Sequence, residues 1–135
     1  MLVRHPGRAV RRLGRIFLLE DHSWFRRALA DMLALEPDLE VVGEAGSLEE
    51  ARRETRDRAK EIDLALVDLL LPDGIGTELI RDLRRTKPDL PVLVLTVARG
   101  PDLYSWVRSM GADEMISKDA SVEEILTAVR ILLRR

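Results

Sequence analysis

The sequence predicts an α/β domain built on a doubly wound, five-stranded parallel sheet. Three observations carry that expectation. Five short strand-like runs, at 16–20, 39–45, 64–68, 92–96 and 114–118, alternate with five stretches of helical character, the signature of repeated strand-then-helix units. The connections are short, and right-handed crossovers leave few ways to arrange such units. Polar residues stand where several of these runs stop: Glu20 and Asp21 after the first, Asp68 at the end of the third, Thr96 closing the fourth and Lys118 closing the fifth. In an open α/β sheet, ligands bind in the crevice outside the carboxyl ends of the strands.

The first run, 16–20, is continuously apolar up to its terminal glutamate, as in a strand buried on both faces. Ser23 is positioned to cap the next helix, whose Phe25, Ala28, Leu29, Met32 and Leu33 form one apolar stripe. Pro37 stops that helix. Leu39, Val41 and Val42 start the second strand. Ser47 with Glu50 three residues later has the form of a capping box for a highly charged, largely exposed second helix. The third strand, 64–68, runs into the turn-rich LLPDGIG loop and then a helix with Leu79, Ile80 and Leu83 inward. Pro88 and Pro91 bracket the return to the fourth strand. Gly100 and Pro101 open the next helix and Gly111 closes it, since proline suits a first helical turn and glycine an exit. The fifth strand is the least apolar and is expected at an edge. Ser121 with Glu124 forms a second capping box, and the last helix turns Ile125, Ala128, Val129 and Leu132 inward.

Of the two common doubly wound orders, five strands fit 2-1-3-4-5, the flavodoxin-like (βα)5 arrangement, which sets strands 1 and 3 side by side. Glu20, Asp21 and Asp68 then become neighbours.

A chain of 135 residues suits one domain able to bury close to two-thirds of its unfolded surface. It contains no cysteine, which removes disulfides, thiolate metal sites and sulfur redox chemistry and suits a cytoplasmic location. No apolar run approaches the roughly 18–20 residues of a membrane span. Residues 1–15 hold five arginines and no acid, leaving −7 on the remainder of a chain whose formal net charge is −2. Residues 1–14 therefore read as a basic, disordered extension broken by Pro6, Gly7 and Gly14, and 15–135 as the folded domain. An acidic body argues against nucleic-acid binding by the domain itself.

Three carboxylates brought together repel one another unless a cation sits among them. Mg2+ suits an all-oxygen site with spare positions for water and a phosphate oxygen. Asp68 is the candidate nucleophile, because an aspartate carboxylate can take a phosphoryl group as an acyl phosphate. Lys118 and the Thr96 hydroxyl are then available to neutralise charge on the transferred group.

The segments EDHSWFRRAL, LVDLLLPDGIGTEL, LVLT and GADEMISKDASVEEILTAVR resemble the receiver domain of two-component response regulators, most closely the NarL/FixJ branch. The likeness spans about residues 15–135. It implies that Glu20 and Asp21 are the metal-binding acidic pair, that Asp68 is the phosphoacceptor, and that Leu70 offers a backbone carbonyl to the Mg2+. It further implies Thr96 as the switch hydroxyl and Lys118 as the lysine that pairs with the phosphoryl group. A sensor histidine kinase is the implied donor. The implied output is a changed surface of the fourth helix, fifth strand and fifth helix, acting on a homodimer partner or on a C-terminal or separate DNA-binding effector. No enzymatic turnover beyond the domain's own phosphorylation and dephosphorylation is expected.

Four positions set this chain apart from the family pattern. Met115 stands where the family usually has an aromatic switch residue, and a flexible thioether would blur a two-position rotamer. Val97 replaces the usual alanine beside Thr96. Leu70 and Ala98, at positions that tune hydrolysis, carry no polar group to orient water. These departures leave a second reading, a degenerate receiver that works as an interaction module without phosphate. A phosphohydrolase would need a second aspartate at position 70, and a flavin phosphate would be repelled by Glu20 and Asp21. Gly74 and Gly76 lack the third glycine of a dinucleotide fingerprint. His22 is expected in water at the entry to the first helix, and Trp24, Tyr104 and Trp106 are expected to pack or half-pack.

Overall fold

The structure, a computed structural model, describes residues 13–135; the basic extension falls almost entirely outside them. Its elements are β1 (Gly14–Leu19), α1 (Ser23–Ala34), β2 (Leu39–Ala45), α2 (Leu48–Thr55), a 3-10 turn (Ala59–Glu61), β3 (Leu64–Asp68), β4 (Leu70–Leu71), β5 (Gly74–Ile75), α3 (Thr77–Thr86), β6 (Val92–Thr96), α4 (Pro101–Ser109), β7 (Glu114–Ser117) and α5 (Val122–Leu133). The five expected strands form one sheet in the order β2-β1-β3-β6-β7, every pair parallel. Because β4 and β5 form a separate two-stranded antiparallel hairpin, this is the expected 2-1-3-4-5 order. The hairpin occupies the stretch expected to be a plain turn-rich loop.

Alternation along the strands divides the core. Ile16 and Leu18 of β1, Leu64 and Leu66 of β3, and Leu93 and Leu95 of β6 pack with Leu29 and Leu33 of α1 and Ile125 and Val129 of α5. Their neighbours Phe17, Leu19, Ala65, Val67, Val92 and Val94 face Leu48, Leu79, Ile80, Leu83 and Val107 on α2, α3 and α4. A strand buried on both faces must be apolar at successive positions, which is why β1, β3 and β6 read as unbroken runs. The half-buried edge strand β7 is the least apolar.

Local signals were mostly sufficient, with five corrections. His22 caps α1, its Nδ1 accepting the Phe25 N–H at 3.4 Å, and Ser23 is already the first helical residue. Ala28 is exposed, so the buried stripe of α1 runs through Leu29, Ala30 and Leu33. Gly14 starts β1 instead of breaking a leader; its N–H donates to the Asp38 carbonyl. Trp24 is 72% exposed, because α1 turns it away from the sheet. Ser47 caps α2 as expected, although Glu50 reaches back to the Gly46 N–H and not to Ser47. The capping box at Ser121 and Glu124 is complete. Gly100 sits at φ 126° before Pro101, backbone that side chains rarely adopt. Among the described residues, no helix is long and apolar enough to cross a membrane.

At the amino ends of the strands, opposite charges meet in bridges: Arg15 with Asp63, Arg84 with Asp113, and Arg130 with Asp38 and Glu36. The carboxyl ends are different in kind.

Truncating a fully buried sheet residue should show how much the core contributes. Leu18→Ala is expected to lower the unfolding free energy by about 2–5 kcal/mol in urea titration, and a loss below about 1 kcal/mol would contradict the packing of β1 against α1 and α5.

Candidate functional site

The carboxyl edge of the sheet gathers the polar residues. Glu20 leaves β1 with its N–H still bonded to the Ala45 carbonyl at 2.9 Å, so its side chain stays buried in the sheet edge while Asp21 beside it is exposed. Asp68 ends β3 and is buried. Because β1 pairs with β3, one carboxylate oxygen from each of Glu20, Asp21 and Asp68 lies within 4.8 Å of the others. Lys118 follows β7; its N–H donates to the Thr96 carbonyl at 3.0 Å, extending the β6–β7 ladder by one bond. Its Nζ reaches across to Glu20 Oε1 at 2.8 Å and Asp68 Oδ2 at 3.1 Å. Thr96 is buried at the end of β6, and its Oγ1 accepts the Ala98 N–H at 3.2 Å.

The loop behind Asp68 is built to hold that residue. Gly76 passes so close that a Cβ there would sit 2.0 Å from the Asp68 carbonyl oxygen, a distance no side chain can accept. The Asp73 carboxylate accepts the N–H groups of Leu48 and Glu49 at 2.9 and 3.0 Å, capping α2 from the tip of the hairpin. Those backbone donors, Glu49 first, hold the Asp73 carboxyl below its ordinary value. The hairpin that carries Leu70 is thereby fastened to α2, and the Leu70 N–H donates to Asp68 Oδ1 at 3.3 Å.

Negative charge exceeds what Lys118 neutralises. Burial, followed by the neighbouring Glu20 charge, pushes the Asp68 carboxyl up to about 7 against the opposing effect of Lys118. Burial works to lower the Lys118 ammonium, but its ion pair with Glu20 and its hydrogen bond to Asp68 outweigh that and raise it. The Lys118–Glu20 approach is close enough for an ion pair but poorly directed, so Glu20 Oε1 remains a buried oxygen without a hydrogen bond. An oxygen paired by charge but without a directed donor keeps lone-pair capacity for a further cation. An all-oxygen donor set with one such atom and an exposed third carboxylate fits a hard divalent cation that keeps part of its water shell.

The remaining sequence-derived positions surround this edge. Leu70 and Val97 are 58% and 63% exposed, and Ala98 is half-buried. Met115 packs partly against the core on the α2, α3 and α4 side and, with Thr96, Ala98 and Ile116, lines a cavity of about 410 Å³. Tyr104 and Trp106 lie at 36% and 41% exposure on α4. His22 is in solvent as expected, yet its backbone N–H donates to Glu20 Oε2 at 3.0 Å. Sequence reasoning missed the close passage of Gly76, the clamp at Asp73, and Phe25, whose ring centroid is 5.2 Å from Lys118 Nζ. Only the Pro-Asp-Gly turn hinted at the first two, and nothing local marks the third.

Comparison with known proteins places the chain by family and fold. The family described as the response regulator receiver domain matches residues 16–130. The chain is 41% identical over 116 residues to the DNA-binding transcriptional activator DevR/DosR of Mycobacterium tuberculosis, covering 86% of this chain and 52% of that protein. It is 34% identical to the transcriptional regulatory protein UhpA of Salmonella typhimurium, covering 84% of this chain and 56% of the relative. The chain thus spans about half the length of these relatives. The signal receiver domain of a NarL response regulator from Mycobacterium tuberculosis superposes with a TM-score of 0.80 at 26% identity, covering 91% of this chain and 98% of that one.

The raised Asp68 carboxyl has a signed consequence for stability. Its value is 3.8 in the unfolded chain and about 7 in the folded one, so between those values the folded state holds the extra proton and stability falls as pH rises. In metal-free buffer the melting temperature is expected to drop between about pH 4 and 7, the interval bounded by the two carboxyl values, with a flatter profile for Asp68→Asn. A wild-type profile no steeper than the variant's would contradict the assignment.

Proposed function

The chain belongs to the response regulator receiver domain family, in its NarL/FixJ branch, and from that premise we propose that it is a phosphorylation-controlled switch of a two-component system in which Asp68 is the phosphoacceptor. The observation that carries this reading is the convergence of Glu20, Asp21, Asp68 and Lys118 at one sheet edge, with a surplus of buried negative charge.

Asp68 Oδ would attack the phosphorus of a phosphohistidine on a sensor kinase. The N–P bond breaks, an acyl phosphate forms, and the released imidazole takes a proton. Glu20, Asp21, Asp68 and the Leu70 carbonyl would hold Mg2+, which supplies positive charge for the phosphoryl oxygens. Lys118, already at this edge, would exchange its carboxylate partners for a phosphoryl oxygen, and the Thr96 hydroxyl would turn from the Ala98 N–H toward the same group.

The acyl phosphate adds roughly −1.5 to −2 charges. Its readout is assigned to α4, β7 and α5. α4 fully buries only Val107, so this helix has little packing to hold it in one position. A DNA-binding effector, joined to the domain or separate, and a homodimer are the proposed partners, in the cytoplasm. The transcriptional roles of the relatives DevR/DosR and UhpA support that output. The domain itself is not assigned nucleic-acid contacts or catalytic turnover of other substrates.

Incubation with acetyl phosphate and Mg2+ is expected to add one phosphoryl group to the wild type by intact mass and none to Asp68→Asn. An unlabelled wild type, under conditions that label another receiver, would favour the phosphate-independent interaction module to which Met115 and Val97 point. Leu70 and Ala98 offer no polar group to orient attacking water, so the adduct should persist for minutes or longer, and decay within seconds would count against that role.

A further inference from the structure

Lys118 is held by more than its two carboxylates. Its Nζ lies over the face of Phe25, 5.2 Å from the ring centroid, and its side chain is only 15% exposed. The ring is placed by the same loop that carries the acids. Glu20 Oε2 accepts the His22 N–H at 3.0 Å, His22 Nδ1 accepts the Phe25 N–H at 3.4 Å, and Lys118 Nζ returns to Glu20 Oε1 at 2.8 Å. The circuit Glu20–His22–Phe25–Lys118 closes on itself. Phe25 is also seated, half-buried, against the core shared by α1 and α5, so the ring has little room to leave.

We propose that Phe25 is a positioning residue for Lys118, its π face confining the ammonium to the carboxylate edge while the partner oxygens change. The role rests on the phosphoacceptor reading above. A lysine ammonium is a compact charge on a flexible four-carbon stem, and without a wall it extends toward water. Its bond to Asp68 and its ion pair with Glu20 end when a phosphoryl oxygen becomes the partner. Attraction to the ring quadrupole depends weakly on where the ammonium points, so it operates both before and after that exchange. An aliphatic side chain at position 25 would fill the same space against that core but would not attract the charge.

The test separates the π face from bulk. Selective ¹³C labelling of lysine gives signals from Lys60, Lys87 and Lys118, and the Lys118 side-chain methylene protons should show a ring-current shift that Phe25→Leu removes and Phe25→Tyr keeps. With acetyl phosphate and Mg2+, Phe25→Leu should slow phosphoryl incorporation by about 2- to 30-fold, the span of cation–π contacts from exposed to desolvated, while Phe25→Tyr stays within about twofold. In a Lys118→Met background, Phe25→Leu should have no further effect. Circular dichroism confirms that each variant is folded. No ring-current shift in the wild type, equal slowing by leucine and tyrosine, no slowing by leucine, or the same slowing without Lys118 would each overturn the proposal. A wild type that shows the shift but takes up no phosphoryl group would instead sink the phosphoacceptor reading, and the positioning role with it, leaving only the contact.

Discussion

Two carboxylates buried side by side at the end of a sheet are costly, and Lys118 is what allows Glu20 and Asp68 to remain there. A buried charge persists only when it is paired and hydrogen-bonded. One ammonium divided between two acids meets that condition incompletely: Asp68 is pushed to about 7 and Glu20 Oε1 lacks a hydrogen bond. The site is therefore short of positive charge. It accepts further positive charge, and the ammonium is free to exchange partners when a new anion arrives.

The scaffold contrasts with this. At the amino ends of the strands, Arg15, Arg84 and Arg130 are matched to carboxylates, and the apolar residues of β1, β3 and β6 are packed on both faces. Rigid packing there keeps the acidic edge in place despite its repulsion. The elements with weaker attachment lie toward α4, where Val107 alone is fully buried. Moving a two-state element from mostly one form to mostly the other requires about 5.5 kcal/mol of differential stabilisation. A single hydroxyl or ammonium contact contributes less than this, roughly 1.5–3 kcal/mol for a hydrogen bond to a charged group. The proposed switch would therefore draw on the Thr96 and Lys118 contacts together, with partner or dimer contacts supplying any remainder.

The differences between expectation and structure have a common cause. Ser23 has the composition of a cap, yet His22 takes the position because the chain leaves β1 with its N–H groups already committed to Ala45 and Glu20. Ala28 lies in the apolar stripe by spacing, but the face that α1 turns to the sheet runs through Leu29, Ala30 and Leu33 and leaves it exposed. Trp24 is turned outward for the same reason. In each case residue type and period were correct locally, and the orientation of a whole element decided the outcome. The β4–β5 hairpin was legible as a turn from Pro72, Asp73 and Gly74, whereas its attachment to α2 through Asp73 involves residues 24 and 25 positions apart.

The positions of strands and helices and the identity of the five polar residues at the carboxyl edge follow from apolar periodicity and turn chemistry, because both act over a few neighbouring positions, and strand order follows from the few arrangements that right-handed crossovers allow. Tertiary structure decided what those residues do to one another: which acid Lys118 pairs with, how far burial raises Asp68, why position 76 admits no side chain, and that the Phe25 ring lies beneath the ammonium. These are effects of distance and desolvation between segments as much as 98 residues apart in the chain, from Glu20 to Lys118. No short window of sequence contains them, since Coulomb interaction and exclusion of water depend on where the folded chain places its atoms.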